Sequence, residues 1–232
     1  MTTRPHVLLS VAMSVDGCID DTSGSRLVLS NEADFDQVDE VRARSDAIMI
    51  GATTLRRDNP RLLVKSDARR AARVARGEPE YPLKVTITAS GDLDPELRFW
   101  HHGGDKLVYT ARAAAPALRE RLRGLAEVVA IGDHPDIAAV LDDLGARGIR
   151  RLMVEGGGQL HTQFLAADLA DELRCAVAPF FLGDPTAPRF VNPAQFANGP
   201  DRRMVLDRVE AVGDMAVLHY LPAASRSERS AA

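Results

Sequence analysis

The order in which strand-like and helix-like stretches follow one another constrains this chain more than any single motif. Val7, Leu9, Val11, Met13 and Val15 alternate with smaller residues and run into Asp16-Gly17, a strand entering a tight turn. From Ser30 to Arg44 the spacing of Phe35, Val38 and Val41 suits an amphipathic helix, with Ser30 or Asn31 as its cap and acids in its first turn. Ala47-Ile48-Met49-Ile50 is a short buried strand that meets Gly51. Residues 83–88, 106–110 and 126–131 read as three further strands, each followed by turn residues or a helical pattern. Residues 135–147 read as a helix closed by Gly148, and 151–154 as another buried strand. In the final third, 172–178, 203–212 and 215–220 read as strands with no helix between them, the last two paired around Gly213-Asp214. Alternating βα units followed by such a meander predict an α/β fold: a mixed, mostly parallel sheet with helices on both faces and a C-terminal antiparallel hairpin. Nothing reads as an internal repeat or a linker, so a single domain over 1–222 is expected. The Ser/Arg/Ala-rich tail, 223–232, reads as disordered.

Bulk properties remove several function classes. The chain is 45% hydrophobic, enough for a sizeable core, and its 29 basic and 33 acidic residues give a net charge of -4. That balance offers no general attraction for nucleic acid or an anionic membrane, and no basic, aromatic-rich face is evident. Two cysteines, Cys18 and Cys175, are too few for a disulfide framework and form no C-x-x-C. No stretch resembles a signal peptide or approaches a membrane span, so the cytoplasm is expected. His101-His102 reads as a solvated loop, because no carboxylate or cysteine partner has ligand spacing; no metal is expected. The absence of G-x-S-x-G and of a Ser/His/Asp set counts against a hydrolase. The Ala- and Arg-rich stretch 65–80 reads as an exposed helix or insertion, with a phosphate-binding arginine cluster as the alternative.

Three stretches could carry chemistry. In Val154-Glu155-Gly156-Gly157-Gly158-Gln159-Leu160 a buried strand ends, three glycines follow and a helical pattern begins. Backbone N–H groups there could approach a pyrophosphate closely; the alternative is a tight turn with no ligand, and neither G-x-G-x-x-G nor a Walker loop is present. Ile50-Gly51-Ala52-Thr53-Thr54 repeats the strand–glycine–helix pattern, with Thr53 and Thr54 as ligand contacts or simple caps. Two glycine turns at strand ends are what a dinucleotide across the carboxyl edge of a sheet requires. Arg57-Asp58-Asn59-Pro60-Arg61-Leu62 is either a plain turn or a place where Asp58 meets the amine edge of a heterocycle or handles a proton. Basic side chains at 56, 57, 61 and 65 could then serve a substrate phosphate.

Taken in order, Ser10-Val11-Ala12-Met13-Ser14-Val15-Asp16-Gly17, Ser30-Asn31-Glu32-Ala33, Val41-Arg42-Ala43, Asp46 to Gly51, Thr53-Thr54, Asp58 to Leu62 and the Glu155 glycine turn resemble the pyrimidine reductase of riboflavin biosynthesis, the RibD C-terminal family. The likeness runs from about residue 5 to 221. It implies a dihydrofolate-reductase-like fold, NADPH as hydride donor, a homodimer built through the sheet edge, and reduction of a ribosylaminopyrimidine 5′-phosphate to its ribityl form. By the same resemblance Asp58 and Glu155 line the active site. Ser30, Arg42, Arg61, Leu62 and Lys65 hold substrate, Arg42 and Lys65 at its phosphate. Ala12, Gly51, Thr53, Thr54, Gly156, Gly157 and Gly158 hold NADPH, with Ser90 towards its adenosine end. One position departs: the family usually carries lysine after the Asp-Gly turn, against the reacting sugar, and this chain has Cys18. A thiol cannot replace an ammonium. That keeps open a reductase of the same fold acting on dihydrofolate or another pterin, against which Arg42 and Lys65 argue because folate carries no sugar phosphate. A non-catalytic nucleotide-binding homologue is the third reading.

Overall fold

The computed structural model describes residues 4–23 and 27–223. The tail expected to be disordered lies, from residue 224 on, outside the described residues. In chain order the elements are β1 (His6–Ser14), α1 (Glu32–Arg44), β2 (Ala47–Gly51), α2 (Ala52–Asp58), α3 (Asp67–Ala75), β3 (Leu83–Thr88), α4 (Arg98–His101), β4 (Lys106–Thr110), α5 (Ala115–Arg121), β5 (Glu127–Ala130), α6 (Ile137–Ala146), β6 (Arg151–Val154), α7 (Gly158–Ala166), β7 (Glu172–Ala178), β8 (Val205–Val212) and β9 (Met215–Leu221). Each strand read from the sequence is present. The chain divides into two compact units, one of residues 4–5 and 38–153, the other of 6–23, 27–37 and 154–223. The divisions fall inside α1 and before the last residue of β6, where the sequence shows no linker.

In the first unit the strands lie in the order β5-β4-β3-β2-β6, with β2–β3, β3–β4 and β4–β5 parallel. Parallel strands covered on both faces read as unbroken apolar runs, and Ala47 to Ile50 of β2 are all buried. Around them Leu55, Leu62, Leu93, Phe99, Trp100, Val108 and Leu118 form one core cluster. Trp100 meets Phe99 edge-on at 4.8 Å and donates its Nε1–H to the Asp94 carbonyl at 2.7 Å, so its polar edge is satisfied. The Arg-rich stretch is helical but not wholly exposed. Arg73 is 1% exposed and donates to the carbonyls of Ala43 (2.9 Å), Ser45 (2.7 Å) and Pro79 (2.9 Å). Arg70 pairs with Asp67 and Glu80. These two arginines are spent on the protein itself.

In the second unit β1 pairs parallel with β7, and β9 pairs antiparallel with both β7 and β8, in the order β1-β7-β9-β8. The hairpin turns at Gly213, whose φ of +63° suits a residue without Cβ. Asn31 sets the beginning of α1 against that turn. Its Oδ1 accepts from the Asp34 N–H (2.8 Å), capping the helix, while its Nδ2 donates to the Val212 carbonyl (2.8 Å) and to Asp214 (2.7 Å). Beneath this contact Arg174 of β7 donates to Asp34 and to Gln37 Oε1 (3.0 Å), with Arg174 1% and Asp34 0% exposed. A buried ion pair adds little net stability, but removing one partner strands the other charge away from water. Arg174→Ala or Asp34→Ala should therefore cost about 3–5 kcal/mol in urea denaturation, and the double variant Arg174→Met/Asp34→Leu should regain most of it. A double variant as unstable as the singles would show that the pair is not what holds α1 to β7.

Candidate functional site

In the first unit the predicted residues gather at the carboxyl ends of β2 and β3, where parallel sheets present ligand sites. Gly51 ends β2 and is the N-cap of α2, with no side-chain cap bond. Thr53 is exposed and Thr54 half-buried, so the reading of these threonines as helix caps does not hold. Gly51 pairs with Ile87 of β3, and three residues beyond Ile87 the exposed Ser90 accepts the Asp92 N–H through its hydroxyl at 3.2 Å.

Asp58, half-buried, is the last residue of α2, and Asn59 turns the chain with φ +41°. The Asn59 side chain caps α4, its Oδ1 accepting from the Arg98 N–H at 2.7 Å. Arg61 is exposed, whereas Leu62 takes φ +50° and sends its side chain into the core at 6% exposure. A bulky residue rarely holds that backbone, and burial of the side chain is part of what keeps it there. Leu62 can therefore offer a ligand only its main chain. Arg42, on α1, donates to the Leu63 carbonyl at 3.0 Å. Asp39, one turn earlier on α1, receives the backbone N–H groups of Lys65 and of Ser66 (3.2 Å) and the guanidinium of Arg69 (3.1 Å). The structure thus places Arg61, Leu62 and Lys65 on one clamped loop, which Arg42 meets from α1.

Lys84 of β3, 1% exposed, holds that loop from below and was not singled out in the sequence. Its Nζ donates to the carbonyls of Arg61 (3.0 Å), His102 (2.7 Å) and Phe99 and lies 4.4 Å from the Phe99 ring centroid. Burial, helped by neighbouring Lys106, pushes its pKa down to about 7. The polar residue interrupting the apolar run Leu83-Lys84-Val85 was the available signal.

In the second unit Ala12 lies half-buried in β1 and pairs with Ala176, Ser30 precedes α1, and Glu155, half-buried, follows β6. The glycine turn has φ +128° at Gly156, a cis Gly156–Gly157 bond, and Gly157 as N-cap of α7 with no side-chain cap bond. At Gly158 a Cβ would lie 2.3 Å from the Arg189 carbonyl oxygen, so this glycine is required by a crossing strap of chain. His161, in the first turn of α7 and fully buried, donates from Nε2 to the Val154 carbonyl at 3.4 Å, stands edge-on to Phe190 at 5.3 Å and has no partner for Nδ1 among the described residues. At the end of β1, Asp16 accepts from the Ser14 hydroxyl (2.5 Å), Leu182 N–H (3.1 Å) and Gly183 N–H (2.8 Å), which hold its carboxyl well below the usual range. Cys18 is fully buried, its N–H bonded to Ser14 Oγ at 3.0 Å. It presents no polar group to a ligand.

The order of elements, the two uncapped glycine turns and the clamped Asp58 to Lys65 loop agree with a match to the RibD C-terminal domain over residues 5–218. The chain belongs to this family. It is 34% identical over 212 residues to the 2,5-diamino-6-ribosylamino-4(3H)-pyrimidinone 5′-phosphate reductase of Archaeoglobus fulgidus, covering 91% of this chain and 95% of that protein. The reductase of the same name from Methanothermobacter thermautotrophicus is 32% identical over 219 residues, covering 94% and 98%. Among solved structures, Acinetobacter baumannii RibD superposes with a TM-score of 0.78 at 24% identity, over 94% of this chain and 58% of that one, so the chain spans little more than half of that longer protein. At that identity the likeness speaks to fold, which is the dihydrofolate-reductase-like arrangement of this family.

Burial holds the His161 pKa down to about 4, so the imidazole under the glycine turn is neutral in the folded state. The folded value lies below the unfolded value of about 6.5; the stabilisation is thus complete above pH 6.5 and is lost as pH falls towards 4. We expect the wild-type protein to lose up to about 3 kcal/mol from this group over that interval, and His161→Leu to lose correspondingly less when unfolding is followed by denaturant titration at each pH. Equal acid sensitivity of the two proteins would remove His161 as its source.

Proposed function

We propose that this protein reduces 2,5-diamino-6-ribosylamino-4(3H)-pyrimidinone 5′-phosphate to its ribitylamino form with NADPH, residues 1–222 acting as one reductase domain. The observation that carries this reading is the near full-length match to two reductases of that name. Both matches favour the diamino compound over the deaminated uracil.

The residues present fit a dinucleotide. The α7 N-terminus begins at glycines with no side-chain cap, which leaves first-turn N–H groups and the positive end of the helix dipole for a pyrophosphate. When bound, NADPH supplies the hydride. In the overall change the hydride adds to C1′ of the ribosyl group, the bond from C1′ to the ring oxygen breaks, and that oxygen takes a proton to become a hydroxyl. Gly156, Gly157 and Ala12 hold the cofactor in the second unit, and Gly51, Thr53, Thr54 and Ser90 in the first. Gly158 serves by letting the chain pass. Glu155 supports the nicotinamide. Arg42 and Lys65 receive the phosphate, Arg61 and the Leu62 main chain border the substrate with Ser30, and Asp58 orients the pyrimidine amine or passes a proton. The exposed Leu206 and Val209 on β8, the outer strand of its unit, favour a homodimer, because an unpaired apolar edge is otherwise a liability. Light scattering should then give about twice the 25.1 kDa chain mass; a lone monomer at micromolar concentration would remove the dimer.

The first assay is loss of NADPH absorbance with the diamino compound, its deaminated counterpart and dihydrofolate offered separately. Turnover of dihydrofolate alone would overturn the reading. With substrate in hand, Asp58→Asn should lower kcat about 100-fold or more while NADPH affinity stays within about threefold. Undiminished turnover would take Asp58 out of the chemistry.

A further inference from the structure

The segment Ala187–Phe190 has no place in the residues assigned so far, yet it touches both functional turns of the second unit. Pro188 accepts the Ile19 N–H at 2.8 Å, Arg189 forms an antiparallel bridge with Cys18, and the Phe190 N–H donates to the Gly17 carbonyl at 3.1 Å. On its other side the Arg189 carbonyl occupies the space a Gly158 Cβ would need, and the Phe190 ring packs on His161. Two residues on, the Asn192 N–H donates to Thr162 Oγ1 at 2.8 Å, and that hydroxyl donates to the Gly158 carbonyl at 2.6 Å. The main chain at Arg189 is therefore fixed against the Asp16-Gly17 turn and the first turn of α7 together.

From this fixed backbone projects an exposed guanidinium. One of its nitrogens, Nη1, donates to the Asp16 carbonyl at 2.9 Å and lies 3.9 Å from where a Gly17 Cβ would stand. Among the described residues, this contact engages one of its five N–H donors. The turn itself has no cation: Asp16 is anionic, Gly17 has no side chain and Cys18 is buried. An arginine displayed for solvation alone needs no strap pinned at both ends.

We propose that Arg189 is a ligand-binding residue whose free N–H groups bind oxygens of a sugar phosphate at the Asp16-Gly17 turn, the chemistry shared by the phosphorylated substrate and the cofactor. The proposal rests on the reductase reading. Its test uses the full chain with Arg189→Gln and Arg189→Lys, reading the substrate KM and kcat and, separately, the NADPH Kd by fluorescence. A lost charge-assisted hydrogen bond predicts a rise of about tenfold or more in Arg189→Gln, in KM if the substrate is held and in Kd if the cofactor is. Arg189→Lys should recover most of it, kcat should change less than about threefold, and the unfolding midpoint should stay put, since the side chain is exposed. Unchanged KM and Kd in Arg189→Gln, or a lysine variant as impaired as the glutamine one, overturns the proposal while leaving the reductase reading intact. If the wild-type protein turns over none of the pyrimidines, the reading falls instead, and the NADPH Kd together with ribose 5-phosphate binding by calorimetry decides Arg189 in the same way.

Discussion

At Gly158 a carbonyl oxygen of Arg189 stands where any side chain would begin, 2.3 Å from the Cβ position, and much of the second unit depends on that approach. Because the strap can pass so close, Phe190 reaches His161 and Thr162 reaches Asn192, and the beginning of α7 is braced from outside by chain that arrives thirty residues later. The brace uses the Gly158 carbonyl and the Thr162 hydroxyl but no α7 first-turn N–H group through a capping side chain. The helix end is held rigid while its donors stay available. A Ser or Asp cap would have stabilised the helix by about 1 kcal/mol and filled those donors. The glycine turn forgoes that stability.

The first unit reaches a similar result by burying charge. A lysine ammonium taken out of water is costly unless its three donors are met, and Lys84 meets carbonyls of Arg61, Phe99 and His102. Those carbonyls belong to the Asp58 to Lys65 loop and to the short helix α4 with its C-cap, where the last carbonyls of a helix lack intrahelical partners. Arg73 does the same for Ala43, Ser45 and Pro79. Irregular loops need somewhere to place their backbone acceptors, and here long cationic side chains from neighbouring elements supply the donors. Asp39 is the anionic counterpart, taking the N–H groups of Lys65 and Ser66. The Asp58 to Lys65 loop owes its shape to these clamps, and Leu62 keeps its unusual φ because of them.

The strands were legible because parallel, buried strands write themselves as short apolar runs ending at turn residues, as Ala47 to Gly51 and Arg151 to Val154 do. The cap at Asn31 was legible as well, since helix starts are local chemistry. What the sequence hid were contacts between distant segments. Nothing around Arg189 marks it as a neighbour of Gly17 and Gly158, 172 and 31 positions away, and nothing beside Arg73 says that its guanidinium would be buried. Thr53 and Thr54 looked like caps by residue type, yet α2 begins at Ala52 with Gly51 as its N-cap, so both lie inside the first turn. Residue type predicts a role only when the partner is a few positions away.

Cys18 lies where the Asp16-Gly17 turn meets the Arg189 strap. Its thiol is fully buried and its N–H is committed to Ser14 Oγ, so position 18 has become part of the packing beneath the turn. A lysine there would have to carry its ammonium out past the Arg189 strap that pairs with Cys18, or displace it. Strap and cysteine are therefore mutually consistent: a small apolar side chain lets the strap close over the turn, and the strap sets a guanidinium on the Asp16 carbonyl.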